Sequence, residues 1–236
     1  MTRNRNALAA IAAMFCATAA QASGYLTAPV PAEHRKSPLE AHIWYPSAQD
    51  GADIKLGKNA VFLGSAVRAG ATPKDGKFPV VVLSHGSGGN AANLSWIAAE
   101  IADQGVIVLA TNHPGTTSGD SHPLQTIKLW ERPADVSALI DFAQAGLPNG
   151  LTADLSRVAS VGFSLGGYTA LASGGAQVSK ADYISYCDNR GNVHDCRWFK
   201  SAGVDLNTIE QGRYEQSNRD PRITAVVAID PAAPHP

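Results

Sequence analysis

Apolar, β-branched runs recur along the chain, separated by segments with helical spacing. Phe78-Pro79-Val80-Val81-Val82-Leu83-Ser84 is continuously apolar, as expected of a central parallel strand covered on both faces. Val106 to Thr111, Arg157 to Val161 and Ile223 to Ile229 read as further buried strands, and Ala41 to Tyr45 alternates as an earlier one that Pro46 closes. Between them, residues 93–104 carry Leu94, Ile97, Ala98 and Ile101 at helical spacing and end at Gly105, a C-cap signal. Residues 133–145 place Val136, Leu139, Ile140 and Ala143 on one helical face, and Leu165 to Ala172 opens a third helix. Residues 47–77 are polar and glycine-rich apart from a weak apolar patch at Val61-Phe62-Leu63, and read as a loop. Residues 173–219 are turn-rich and read as a cap-like insertion. Alternating strands and helices predict an α/β fold, with a mostly parallel sheet flanked by helices and chemistry at the carboxyl ends of its strands. Three strands end suggestively: in Ser84-His85-Gly86, in Thr111-Asn112-His113-Pro114-Gly115 and in Ile229-Asp230-Pro231.

The beginning of the chain stands apart from this pattern. Arg3 and Arg5 precede an apolar run from Ala7 to Ala20, and Ala20-Gln21-Ala22 forms a small-residue cleavage site before Ser23. This predicts a signal peptide over 1–22, a mature domain over 23–236, and a periplasmic or secreted product. The rival reading, an uncleaved anchor, suits the run poorly, because a spanning helix needs roughly 20 residues. Cys16 lacks the small aliphatic context of a lipidation site. No stable membrane anchor is expected.

Charge and cysteine content narrow the picture further. The 19 Lys and Arg nearly balance the 20 Asp and Glu, so nothing points to nucleic acid or an anionic surface as partner. No internal repeat stands out. In an exported chain, Cys187 and Cys196 are most simply a disulfide, closing a short loop for a gain on the order of 2–3 kcal/mol. A zinc site using His194 and Asp195 is the rival, but no second ligand pair lies at metal-site spacing. No metal or organic cofactor is implied.

The chemistry concentrates in two motifs. Gly162-Phe163-Ser164-Leu165-Gly166 lies between a strand and a helix, the context of the nucleophile elbow of α/β-hydrolases. His85-Gly86-Ser87-Gly88-Gly89 follows the central strand, where such a turn supplies one backbone N–H to an oxyanion hole. The second N–H comes from the residue after the nucleophile, so the candidate hole is made by the amides of Ser87 and Leu165. A phosphate-cradling loop is the alternative for the glycine-rich turn, but the lysine and hydroxyl of a P-loop are missing.

Residues 78–115 and 157–167 resemble the platelet-activating-factor acetylhydrolase-like and dienelactone-hydrolase-like branch of the α/β-hydrolases. The resemblance is carried by Phe78 to Gly86, by the elbow, and by the connecting segments Arg132-Pro133-Ala134-Asp135-Val136 and Asp220-Pro221-Arg222-Ile223. Dienelactone hydrolases use a cysteine nucleophile, whereas this elbow carries Ser164, which favours ester hydrolysis. The resemblance implies a triad acid where Asp230 stands; as a bare sequence, Asp230-Pro231 also reads as a turn. Asp135 and Asp154 fit helix-cap and loop roles better.

A base is harder to find. His194 precedes the acid candidate, and His235 follows it too closely. The expectation is a fold truncated at the carboxyl end, whose triad histidine lies beyond Pro236 and whose last strand presents an unpaired edge. His85 reads as structural, His113 as a pocket-mouth or plain loop residue, and His34, His42 and His122 carry no signal. Trp130 and Trp198 read as acyl-pocket lining or as packing. The sequence therefore predicts an exported serine esterase acting on short-acyl, lipid-type or polyester substrates, with the insertion as a lid. The alternatives are a silent binding domain on the same fold, or an acyltransferase or thioesterase.

Overall fold

The computed structural model describes residues 22–190 and 193–232; residues 1–21 of the signal peptide expected over 1–22, and His235, lie outside them. Strands β1 (Gly24–Val30), β2 (Leu39–Tyr45), β3 (Ala52–Leu56), β4 (Ser65–Ala69) and β5 (Lys77–Ser84) precede helix α1 (Ser95–Asp103). Then follow β6 (Ile107–Thr111), a two-residue ribbon of β7 (Thr116–Thr117) and β8 (Asp120–Ser121), and helices α2 (Pro123–Thr126) and α3 (Glu131–Ala145). Strand β9 (Thr152–Phe163) leads into α4 (Leu165–Gly174), and α5 (Lys180–Asn189), α6 (His194–Ser201) and α7 (Gln211–Glu215) precede β10 (Ile223–Ile229). Eight strands form one sheet in the order β10-β9-β5-β6-β2-β1-β4-β3. β10, β9, β5 and β6 run parallel, so all four carboxyl ends reach the same edge. The α/β-hydrolase architecture read from the sequence is the one observed.

Two apolar layers explain the continuous runs. Along β6, Ile107 and Leu109 enter the core beneath α3, with Val80, Val82, Leu139 and Ile140. Val108 and Ala110 enter the core beneath α1, with Trp44, Leu83, Ala98 and Val161. A strand flanked by helices on both faces has no solvent side to show, hence no alternation.

The sheet departs from the sequence reading at both ends. Residues 47–77 are not a plain loop, since β3 and β4 pair antiparallel there. Ile54, Leu56 and Val67 pack toward α1 while Asp53 and Lys55 face outward, a period-two pattern hidden by its glycines and short strands. β1 lies just after the expected cleavage site and pairs along its length with β2. The 61–63 patch is an exposed loop tip, with Val61 at 81% and Leu63 at 82%. β10 pairs only with β9 among the described residues, and Val226, Val227 and Ile229 stay exposed. Among the described residues β10 is therefore an edge strand, exposed where its apolar run alone read as buried.

Candidate active site

Ser164 sits between β9 and α4 with φ 54° and ψ −119°, a backbone conformation a non-glycine residue adopts only when its surroundings impose it. Its amide donates to the Ile229 carbonyl at 3.0 Å, and its carbonyl accepts from Tyr168 at 3.2 Å and from Ala232 at 3.0 Å. The motif glycines are demanded by packing. A Cβ on Gly162 would run into the Gly166 carbonyl, and one on Gly166 into that of Ser84. We expect Gly166→Ala to cost more than about 2 kcal/mol in chemical denaturation, because rigid backbone is what the added methyl meets.

The glycine-rich turn comes close to this elbow, and a Cβ on Gly86 would lie 3.2 Å from that of Ser164. Gly88 and Gly89 are held by the Thr116 and Gly86 carbonyls, whereas the Ser87 amide donates to no group among the described residues. Leu165 is the first residue of α4, where the N–H has no intrahelical partner. Ser164, Ser87 and Leu165 line one cavity of about 570 Å³. Its walls are Ile127 and Leu129 from the segment after α2, and Trp198 and Phe199 from α6.

The 173–219 segment forms the roof. Tyr183 of α5 and Phe199 of α6 share a core with Leu165 and Tyr168 of α4, with Trp130 and with Tyr214 of α7. Cys187 and Cys196 are joined by a disulfide that ties α5 to α6. The Tyr183 hydroxyl donates to Asp195 at 3.1 Å, and both line the cavity beside His194. Trp130, read as a possible pocket residue, is buried under Arg213, whose guanidinium lies 4.9 Å from its ring centroid. Trp198 does line the cavity.

Beneath the turn lies a polar network that the sequence reading missed. Asp135 is no helix cap. It sits inside α3, fully buried, accepting from His34 Nε2 at 2.7 Å, Arg35 Nε at 2.8 Å and Nη2 at 2.6 Å, and His113 Nδ1 at 2.8 Å. Burial alone would raise its carboxyl, but these donors prevail and hold it well below the usual range. His113 is likewise buried rather than at a pocket mouth, with Ser84 Oγ 3.2 Å from its Nε2. Its backbone amide donates to His85 Nε2 at 3.1 Å, and His85 Nδ1 lies 2.7 Å from the Gly86 carbonyl. Arg132 donates to the His85 carbonyl and is also buried. His34 and Arg35 precede Asp135 by about a hundred residues, and no local signal linked them.

Asp230 stands at the end of β10 with φ 44°, exposed and without a hydrogen bond or ion pair among the described residues. No described histidine approaches it within hydrogen-bonding distance. His194 does share the Ser164 cavity, which the order of residues alone argued against.

The buried histidines make stability depend on pH. Burial, then His113 and Arg132, pushes His85 down to about 2; burial, then Arg132, pushes His113 down to about 4. An unfolded histidine titrates near about 6.5, so the unfolded chain takes up these protons first. Stability present above about pH 6.5 is therefore lost as pH falls toward 4. Asp135, with its depressed carboxyl, adds a further loss only below about pH 4. Urea midpoints should fall steadily from pH 7 to pH 4.5, and a flat profile would refute the assignment.

Comparison with solved structures agrees with this architecture. A ferulic acid esterase from Streptomyces cinnamoneus is 24% identical over 64% of this chain and 54% of its own, with a TM-score of 0.51. A puromycin-hydrolyzing peptidase from Mycobacterium tuberculosis is 21% identical, over 86% of this chain and 30% of its own, at 0.51. A puromycin hydrolase is 22% identical, over 83% and 28%, at 0.52. The chain thus spans about half of the first and less than a third of the other two. No curated protein matches it. The sequence pattern of the chlorophyllase family matches residues 59–185, just over half the chain, from before the central strand through the elbow and into α5. Its sheet, its elbow and that match make the chain an α/β-hydrolase, and it belongs to the chlorophyllase family.

Proposed function

We propose that the protein hydrolyses carboxylic esters through an acyl-enzyme on Ser164. The observation that carries this is the strained Ser164 lining one cavity together with Ser87 and Leu165, whose amides are the candidate oxyanion donors. Ser164 Oγ attacks the ester carbonyl, the two amides hold the oxyanion, and the alcohol leaves with a proton from the conjugate acid of the base. Water then attacks the acyl group and releases the acid and free serine. Asp230 is assigned as the acid that orients the triad histidine. The test is labelling of the full-length protein with a fluorophosphonate. A mass increase confined to the peptide containing Ser164 supports the reading, and labelling elsewhere or none overturns it.

The cavity suits an apolar acyl or alcohol group, lying against Ile127, Leu129, Trp198 and Phe199. Short-acyl and lipid-type esters form the first assay panel, together with chlorophyll, which gives the family its name. Because α6 forms one wall and Cys187–Cys196 ties it to α5, reducing the disulfide should shift chain-length preference and spare acetate hydrolysis. An unchanged preference would remove the roof from the specificity account. The disulfide also supports export, the reading made from the leader.

His194 gives a second reading of the base, since it lines the same cavity. It is exposed and has no acid partner among the described residues. We therefore expect His194→Ala to raise KM a few-fold and leave most of kcat; loss of kcat comparable to Ser164→Ala would make it the base.

A further inference from the structure

We infer, on the reading of Ser164 as nucleophile, that His85 is a positioning residue that aims the Ser87 amide into the oxyanion hole. The deduction starts from a donor whose identity is fixed. The backbone N–H of His113 can only donate, so His85 Nε2, 3.1 Å away, must accept. The ring proton is then on Nδ1, which donates to the Gly86 carbonyl at 2.7 Å. That carbonyl also accepts from the Gly89 amide at 3.0 Å.

The Gly86 carbonyl and the Ser87 amide belong to one peptide unit. A trans peptide is planar, and its C=O and N–H point in opposite directions. Holding the carbonyl against the His85 ring therefore turns the Ser87 N–H the other way. The preceding peptide is held as well, because Arg132 donates to the His85 carbonyl. The ring itself has nowhere to go: His85 is 1% exposed, and its centroid lies 5.1 Å from that of His113. His113 is in turn fixed by Asp135 on one nitrogen and Ser84 on the other. The chain from Asp135 through His113 to His85 thus ends on the peptide of Ser87, a residue that lines the Ser164 cavity and whose N–H has no partner among the described residues. Glycine at 86 needs such support, since no side chain restrains its peptide planes.

Two variants separate this role from packing. His85→Asn keeps a donor on Cγ where Nδ1 was, whereas His85→Leu fills the space without one. With p-nitrophenyl acetate and Ser164 sites counted by titration, His85→Leu should lower kcat on the order of 10²-fold and leave KM within a factor of about three. His85→Asn should recover at least about tenfold of that loss. Equal losses in both, or a lower Tm with unchanged kcat per site, would overturn the role. A crystal structure of His85→Leu decides the matter without any assay: a rotated Gly86–Ser87 peptide supports it and an unrotated one overturns it. Turnover that survives Ser164→Ala would instead sink the nucleophile reading, leaving the crystallographic result to decide on His85.

Discussion

Replacing Ser164 with alanine is expected to lower kcat for p-nitrophenyl acetate by on the order of 10⁴- to 10⁶-fold, with the fold intact. The size follows from what would remain. On the proposed mechanism the amides of Ser87 and Leu165 would still bind a developing oxyanion and the cavity would still hold the ester, but no covalent intermediate would form. The stability should hardly move, because the Ser164 hydroxyl makes no hydrogen bond among the described residues. The backbone strain at φ 54° is common to serine and alanine. Ser87 carries another hydroxyl in the same cavity, so Ser87→Ala is the control and should retain most turnover, since its amide is kept. Comparable turnover by wild type and Ser164→Ala would reject the serine mechanism. A wild type without turnover, yet with the cavity occupied by an ester analogue, would favour a binding domain.

The largest effect on stability is expected at Asp135. Its carboxylate receives four hydrogen bonds from three residues on two separate segments, and it is fully buried. Asp135→Ala strands the Arg35 guanidinium beside only Glu131, 2.5 Å from its Nη1, and leaves two imidazoles without their acceptor. Removing one partner of a buried charged network typically costs about 3–5 kcal/mol, because the remaining charge stays desolvated. Urea denaturation at pH 7.5 measures this directly. Asp135→Asn, which keeps the shape but loses the charge, should cost less than alanine and more than about 1 kcal/mol. A loss below that in both variants would mean that water replaces the carboxylate.

The layered architecture was legible because burial on both faces of a strand leaves an unambiguous trace, as at Val80-Val81-Val82 and Ile107-Val108-Leu109. The elbow was legible for a local reason as well: Gly162 and Gly166 are required by contacts within a few residues of Ser164 or with the adjoining strand. The Asp135 network was not. Its members lie on four separate segments, and each alone looks like an ordinary cap, loop or surface residue. β3 and β4 were hidden by brevity, five residues apiece, with polar outward faces. At β10 two expectations pulled apart: the apolar run read as buried, whereas the expected unpaired edge called for exposure, and Val226, Val227 and Ile229 are exposed among the described residues.

Ser84, His113 and Asp135 reproduce, in order and spacing, the hydroxyl–imidazole–carboxylate relay that defines a serine hydrolase, at 3.2 and 2.8 Å. Yet Ser84 and Asp135 are wholly shielded from solvent, and His113 nearly so. A search by geometric template would find this trio and name Ser84 rather than the proposed Ser164. On the proposed mechanism, what separates the two serines is approach. Ser84 is sealed at the end of β5, whereas Ser164, with φ 54°, is half-buried and lines a cavity. Reagents that report on accessible serine, rather than on relay geometry, are the ones that will distinguish them.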